Sequence, residues 1–194
     1  MKIGVLALQG DFREHRISLE KLEADVSEVR LPEHLEGLSG LIIPGGESTA
    51  IGKLMVAYGL LDAIREFGKT KAIWGTCAGA ILLAKNVGKK QPLLELMDIT
   101  IQRNAFGRQI DSFEIDLPVP FLKPSHPDYH LTFIRGPIIT EVHGKAKPLL
   151  SLPDGRIIAA QQGKLLATSF HPELTDDLRF HRYFLELASS ESVN

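Results

Sequence analysis

The chain has 194 residues, 44% hydrophobic and 24% charged, with a formal net charge of -2. That length and balance describe one globular domain, residues 1–194, with a core of useful size, and exclude a disordered chain. No long Lys/Arg run offers a footprint for nucleic acid or a membrane surface, and no apolar run approaches the roughly 20 residues of a membrane span.

The only cysteine, Cys77, has no partner for an internal disulfide, which fits a reducing compartment. After Met1-Lys2 the apolar run Ile3 to Leu8 is too short for a signal peptide and reads as a strand that starts at once. A cytoplasmic protein is expected.

Ile3 to Leu8 has the unbroken apolar character of a central parallel strand covered on both faces. Gln9-Gly10 turns the chain, and Asp11 with Glu14 predicts a capping-box start for a helix reaching about Ala24. Val26 to Leu31 is a weaker strand. Gly40 to Ile43 is a third, ending in Pro44-Gly45-Gly46-Glu47-Ser48-Thr49. Leu54 to Phe67 reads as helix interrupted near Gly59, and Ala72-Ile73-Trp74 as a buried strand. Strand and helix alternate through this half. The pattern predicts an α/β fold with a doubly wound, largely parallel sheet flanked by helices, whose ligands bind beyond the carboxyl ends of the strands. In the second half, short strands are expected over Ile99 to Gln102, Ile110 to Leu117, Leu131 to Arg135 and Ile138 to Val142. A hairpin joins Leu149–Leu152 to Arg156–Ala160 through Pro153-Asp154-Gly155, and Leu165 to Phe170 follows as a strand. Pro118 to Pro127, with four prolines, is a loop. Asp176 and Asp177 are expected in the first turn of a last helix running to about Ala188.

Gly75-Thr76-Cys77-Ala78-Gly79 lies between a buried strand and the apolar run Ala80 to Ala84. This is the layout of a nucleophile elbow with sulfur in place of the hydroxyl. Glycines two places either side leave room for a backbone that a bulkier residue would clash with. The turn sets the sulfur at a helix N-terminus, which favours thiolate, and aims the Ala78 amide at an oxyanion forming on a carbon joined to that sulfur. A lone cysteine is otherwise a small core hydrophobe. His171-Pro172-Glu173, after the Leu165–Phe170 strand, weighs against that reading. Residues two apart in extended chain project to one side, so Glu173 is placed to hold the His171 ring while His171 faces a nucleophile. Taken alone, His-Pro-Glu is a surface turn; a cysteine elbow at another strand end makes the two mutually supporting.

Gly45-Gly46 allows an inward-pointing amide with positive φ, a second oxyanion donor beside Ala78. The alternative is an ordinary turn capped by Ser48 or Thr49. A phosphate loop fails, because Gly46 to Gly52-Lys53 is one residue too long and Leu54 stands where Ser/Thr is required. Arg103-Asn104 and Ile134-Arg135 end second-half strands, where solvated edge charges are common. His126 and His130 in the Pro-rich loop, with only Asp128 between, do not make a metal set, so neither metal nor cofactor is expected.

These stretches resemble a class I (triad) glutamine amidotransferase. The likeness is closer to one branch, the glutaminase subunits of pyridoxal phosphate synthase. It is carried by Leu6 to His15 (LALQGDFREH), Gly45 to Thr49 (GGEST), Gly75 to Gly79, Arg103 to Gln109 (RNAFGRQ), Phe133-Ile134-Arg135 and Thr168 to Leu174 (TSFHPEL), which together span almost the whole chain. Gly136 departs from the expected Ala.

The resemblance implies a flavodoxin-like class I amidotransferase fold with a mixed, largely parallel sheet, and a set of roles. Cys77 attacks the side-chain amide of L-glutamine, Gly46 and Ala78 hold the oxyanion, His171 is acid and then base, and Glu173 orients it. Gly46, Glu47, Ser48, Arg103, Ile134 and Arg135 hold the substrate. Gln9, at a neighbouring predicted strand end, is placed to bias the Gly45-Gly46 turn when a partner docks over the strand ends. That partner is a separate (β/α)₈ synthase subunit in a large hetero-oligomer, which receives the ammonia. A subunit serving histidine, purine or aminobenzoate synthesis fits the Arg103–Gln109 stretch less well. A non-catalytic protein on the same elbow fold fits poorly with an intact Cys77, His171 and Glu173.

Overall fold

The structure is a computed structural model that describes residues 1–103 and 112–190. The chain opens with β1 (Lys2–Leu6), α1 (Phe12–Lys21), β2 (Asp25–Val29), a 3₁₀ turn (Pro32–Leu35) and β3 (Gly40–Ile43). It continues through α2 (Ser48–Ala57), α3 (Leu60–Phe67), β4 (Ala72–Thr76), α4 (Ala78–Leu83), β5 (Ala84–Asn86) and β6 (Met97–Gln102). The last part holds β7 (Ser112–Leu117), β8 (Tyr129–Ile134), β9 (Ile138–Val142), β10 (Lys147–Ser151), β11 (Ile157–Gln162), β12 (Leu165–Thr168), a 3₁₀ turn (Pro172–Leu174) and α5 (Arg179–Ser189).

One mixed sheet runs β2-β1-β3-β4-β12-β11-β9-β6-β5, with β10 on β11; β7 and β8 form a separate antiparallel pair. From β2 to β12 every pairing is parallel, in the doubly wound order expected of this class. From β12 to β6 the pairings turn antiparallel, so the expectation of a largely parallel sheet holds for the half that carries the elbow.

Alternation along the central strands feeds two cores. Leu41, Ile43 and Ile73 face one side with Met55, Ile64 and Leu82 from α2, α3 and α4. Ile3, Val5, Ile42 and Trp74 face the other, against Leu19 of α1 and Phe180 and Phe184 of α5. Phe180 and Phe184 are fully buried, each worth ~2–3 kcal/mol by the apolar area removed from water.

Several boundaries differ from expectation, for local reasons. The Asp11 side chain makes no capping bond, so no capping box forms at α1. α2 starts at Ser48, six residues before Leu54, because the Glu47 carboxylate caps it by accepting from the Thr49 and Ala50 amides. Gly59, at φ 70°, divides the helical run in two. Asp177 lies ahead of α5 rather than in it, and its carboxylate binds the Arg179 guanidinium and amide. Residues 110 and 111 of the expected Ile110–Leu117 strand lie outside the described residues.

Candidate active site

The loops after β1, β3, β4 and β12 all emerge at the carboxyl end of the parallel strands. Cys77 follows β4 at φ 47° and ψ -101°, a conformation that is costly for a residue with a side chain and that marks an elbow. The neighbouring glycines are sterically required. A Cβ on Gly79 would stand 2.0 Å from the Ile43 carbonyl oxygen, and one on Gly75 would stand 2.4 Å from the Gly79 backbone. The Cys77 amide donates to the Thr168 carbonyl at 2.8 Å, which ties the elbow to the end of β12.

His171 comes three residues after that carbonyl, and its own amide donates to the Thr132 carbonyl of β8 at 2.9 Å. Its Nδ1 is 2.7 Å from Glu173 Oε1. Cys77, His171 and Glu173 are 8%, 5% and 6% exposed, so the three groups meet in a largely dehydrated place where charge interactions are strong. Burial pulls the His171 proton affinity down. Hydrogen bonds to Cys77 and Glu173, with their charges, more than reverse this and push its pKa up to about 10. Burial raises the Glu173 carboxyl above its usual range, opposed by its bond to His171. The pair titrates as a unit. At neutral pH the ring is an imidazolium held between sulfur and carboxylate.

The Gly45-Gly46 turn ends β3. The Asp11 amide donates to the Gly45 carbonyl at 3.1 Å, so the planar peptide turns the Gly46 N–H away from the β1 loop. Gly46 sits at φ 147°, where a Cβ would meet Gln9 Oε1 at 2.6 Å. Gln9 Oε1 accepts from the Glu47 amide at 2.8 Å. The peptide that carries the expected oxyanion donor is therefore held by Asp11, and the next peptide by Gln9, both in the β1 loop. Ala78 is the first residue of α4, beside the sulfur.

The expected substrate residues form two groups. Arg103, at the end of β6, reaches Glu47 Oε1 (3.2 Å), Thr49 Oγ1 (3.3 Å) and Gln91 Oε1 (2.9 Å), while Gln91 Nε2 reaches Ser48 Oγ (3.4 Å). Glu47 thus serves as a helix cap and ion-pair partner. Burial opposes its ionisation, but the Thr49 and Ala50 amides and Arg103 hold its pKa below the usual value. Ile134 and Arg135 stand at the exposed end of β8, two and three residues past Thr132, with Arg135 at φ 46°. Residues 104–109 of the Arg103–Gln109 stretch lie outside the described residues.

Sequence reading missed four contributors. Asp11 Oδ2 lies 3.7 Å from His171 Nδ1, and Gln91 joins Arg103 to Ser48. His15 approaches the far side of Glu173, and Thr76 bonds His15 there. Asp11 and His15 fall inside the LALQGDFREH stretch, so the signal was present without a role attached. Gln91 lies in a loop with no motif around it. Asp11, His171 and Glu173 also bring three ligand-type atoms together, but Glu173 Oε1 and His171 Nδ1 already bond each other. Among the described residues no helix is long and apolar enough to cross a membrane.

A strained cysteine elbow on a doubly wound mixed sheet, with a carboxylate-held histidine at the next strand end, is the arrangement of a class I glutamine amidotransferase. The profile of the SNO glutamine amidotransferase family matches residues 5–190, and the chain belongs to that family. The "Pyridoxal 5'-phosphate synthase subunit PdxT" of Herpetosiphon aurantiacus is 56% identical over 192 residues, covering 96% of this chain and all of that protein. The protein of the same description from Roseiflexus sp. (strain RS-1) is 52% identical over 191 residues, with the same coverage. A solved structure described as a glutamine amidotransferase superposes with a TM-score of 0.91 at 50% identity, covering 97% of this chain and 99% of that one. PurLQS from Thermotoga maritima, at 16% identity and TM-score 0.64, shares the fold.

Proposed function

We propose that this chain is the glutaminase subunit of a pyridoxal 5'-phosphate synthase, acting as a single domain over residues 1–194 in the cytoplasm. It hydrolyses L-glutamine to L-glutamate and ammonia, and passes the ammonia to a separate (β/α)₈ synthase subunit in a hetero-oligomer. The observation that carries the chemistry is the 2.7 Å bond between His171 Nδ1 and Glu173 beside a cysteine held at positive φ. The relatives' descriptions support the choice of partner.

In this reading the Cys77 sulfur attacks the amide carbon of glutamine. The tetrahedral oxyanion takes the amides of Ala78 and Gly46, a type of contact worth roughly 10²–10³ in rate per donor. The C–N bond breaks as nitrogen takes the proton of the His171 imidazolium, giving ammonia and a γ-glutamyl thioester. His171, now neutral, removes a proton from water, which attacks the thioester and frees glutamate. Glu173 stabilises the imidazolium at each turn. Arg103 binds the substrate carboxylate, and Glu47, Ser48, Ile134 and Arg135 complete the set that holds the glutamine.

The grip of Gln9 and Asp11 on the Gly45–Glu47 backbone supports a gate. A partner docking over the strand ends shifts the β1 loop and re-aims the Gly46 amide, a population shift of a two-state peptide. Glutamate release by the purified chain at saturating glutamine should rise at least tenfold when the synthase subunit is added. Equal kcat with and without it would remove the gate, and failure of the two proteins to copurify would remove the partner.

A further inference from the structure

Behind Glu173 lies a buried polar network. His15 projects from α1 and His181 from α5, and neither is exposed at all. Their rings pack at 5.2 Å, with His15 Nδ1 3.0 Å from His181 Nε2, and both meet Trp74 edge-on. On its other edge, His15 Nε2 lies 3.0 Å from Thr76 Oγ1 and 3.3 Å from Glu173 Oε2. Two atoms end the network without an aligned hydrogen-bond partner: Glu173 Oε2 and His181 Nδ1. The 3.3 Å approach of His15 to Glu173 is thus a close electrostatic contact off the hydrogen-bonding line. Such contacts in a free enzyme commonly tighten when substrate binds.

The positions of the protons follow from chemistry. Burial lowers the pKa of both rings, His181 to about 3 and His15 well below its usual value, the latter helped by His181 and His171. Both are neutral near pH 7, and each carries one N–H. Were His15 to donate to His181, its bare Nε2 lone pair would face the Glu173 carboxylate, and His181 Nδ1 would carry a buried N–H with no acceptor. Orphaned buried N–H groups are rare because they are costly. With His181 as donor, the His15 proton sits on Nε2, between Thr76 Oγ1 and Glu173 Oε2. The loose end is then only a lone pair on His181 Nδ1.

We propose that His15 is a positioning residue of the triad: His181 fixes its tautomer, and its Nε2–H holds Glu173 Oε2 so that Oε1 stays on His171. This rests on the glutaminase reading above. Glu173 is shut off from water, so each carboxylate oxygen needs a hydrogen-bond donor to stay ionised. His171 supplies one for Oε1 and His15 supplies one for Oε2. Asp11 and Tyr129 add negative or neutral surroundings, and Cys77 lies across His171.

The test measures glutamate release against pH by the complex with the synthase subunit, for wild type, His15→Leu and His15→Gln. Gln places an N–H near the position of imidazole Nε2; Leu has none. His15→Leu is expected to lose about tenfold to a hundredfold in kcat, the scale of one hydrogen bond to a charged group, at unchanged KM for glutamine. Its acid limb should move to higher pH by about one unit, because Glu173 without the Nε2–H binds its proton more tightly. His15→Gln should recover most of both. An unchanged limb in the Leu variant, or Gln as impaired as Leu, would overturn the proposal in favour of a packing role. Should His15→Leu not fold, two-bond ¹H–¹⁵N spectra of the wild-type chain decide: a neutral Nε2–H tautomer for His15 is expected, and an Nδ1–H tautomer or an imidazolium would overturn it. A glutaminase reading that is itself wrong would show differently, as wild type releasing no glutamate.

Discussion

His181 gives the most quantitative handle on this molecule, because it is a fully buried base whose Nδ1 has no partner. Its folded-state pKa of about 3 lies below the ordinary 6.5, so the unfolded chain binds this proton and the native chain does not. The stability it permits is intact above about pH 6.5 and falls as pH is lowered below that value. The slope approaches about 1.4 kcal/mol per pH unit until the native pKa is reached. Integrated between pH 7 and pH 5, this one residue costs about 2 kcal/mol. His181→Phe keeps the packing against Trp74 and removes the titration. Urea unfolding at pH 7, 6 and 5, with free energies taken from midpoint and slope, should show the variant losing about 2 kcal/mol less than wild type over that range. His171 works in the opposite sense, with a raised pKa that makes folding more favourable as pH falls, but it is common to both chains and cancels. Parallel pH dependences for the two chains would refute the claim that His181 is held neutral in the core.

Two further substitutions probe the site. Glu173→Gln keeps the shape of the His171 contact but not its charge, so kcat for glutamate release should fall by about 10²-fold or more with little change in KM; a harmless effect in single-turnover thioester formation would assign Glu173 to the turn alone. Arg103→Ala should mainly raise KM for glutamine, by the roughly 1.5–3 kcal/mol of a charge-assisted contact present in ground and transition states alike; a large kcat loss at constant KM would make Arg103 a structural residue of the Glu47–Gln91 cluster.

The parts of the site that were legible in the sequence are those where covalent spacing alone carries the geometry. Gly75 and Gly79 announce the elbow because any side chain there collides with backbone. His171 and Glu173 are two residues apart, so their pairing needs no knowledge of the rest of the fold. The parallel half of the sheet was readable from unbroken apolar runs, since both faces of β1, β3 and β4 are covered. What escaped depends on tertiary placement. A histidine on a helix face, such as His15 or His181, looks like a surface residue until α1 and α5 close over Trp74. The early start of α2 escaped because Glu47 caps it, although Ser48 and Thr49 are the expected caps. The turn from parallel to antiparallel pairing after β12 left no mark, because short strands in the second half read alike in either direction.

In the proposed reaction Cys77 generates ammonia for a partner that consumes it. The most direct test is product formation by the complex carrying Cys77→Ala, with glutamine or with an ammonium salt as nitrogen source. Alanine fits the nearly closed site, so the chain should fold and still assemble. Glutamine-driven synthesis should fall by several powers of ten while ammonium-driven synthesis stays at the wild-type rate. Near-normal synthesis from glutamine would rule out Cys77 as the nucleophile.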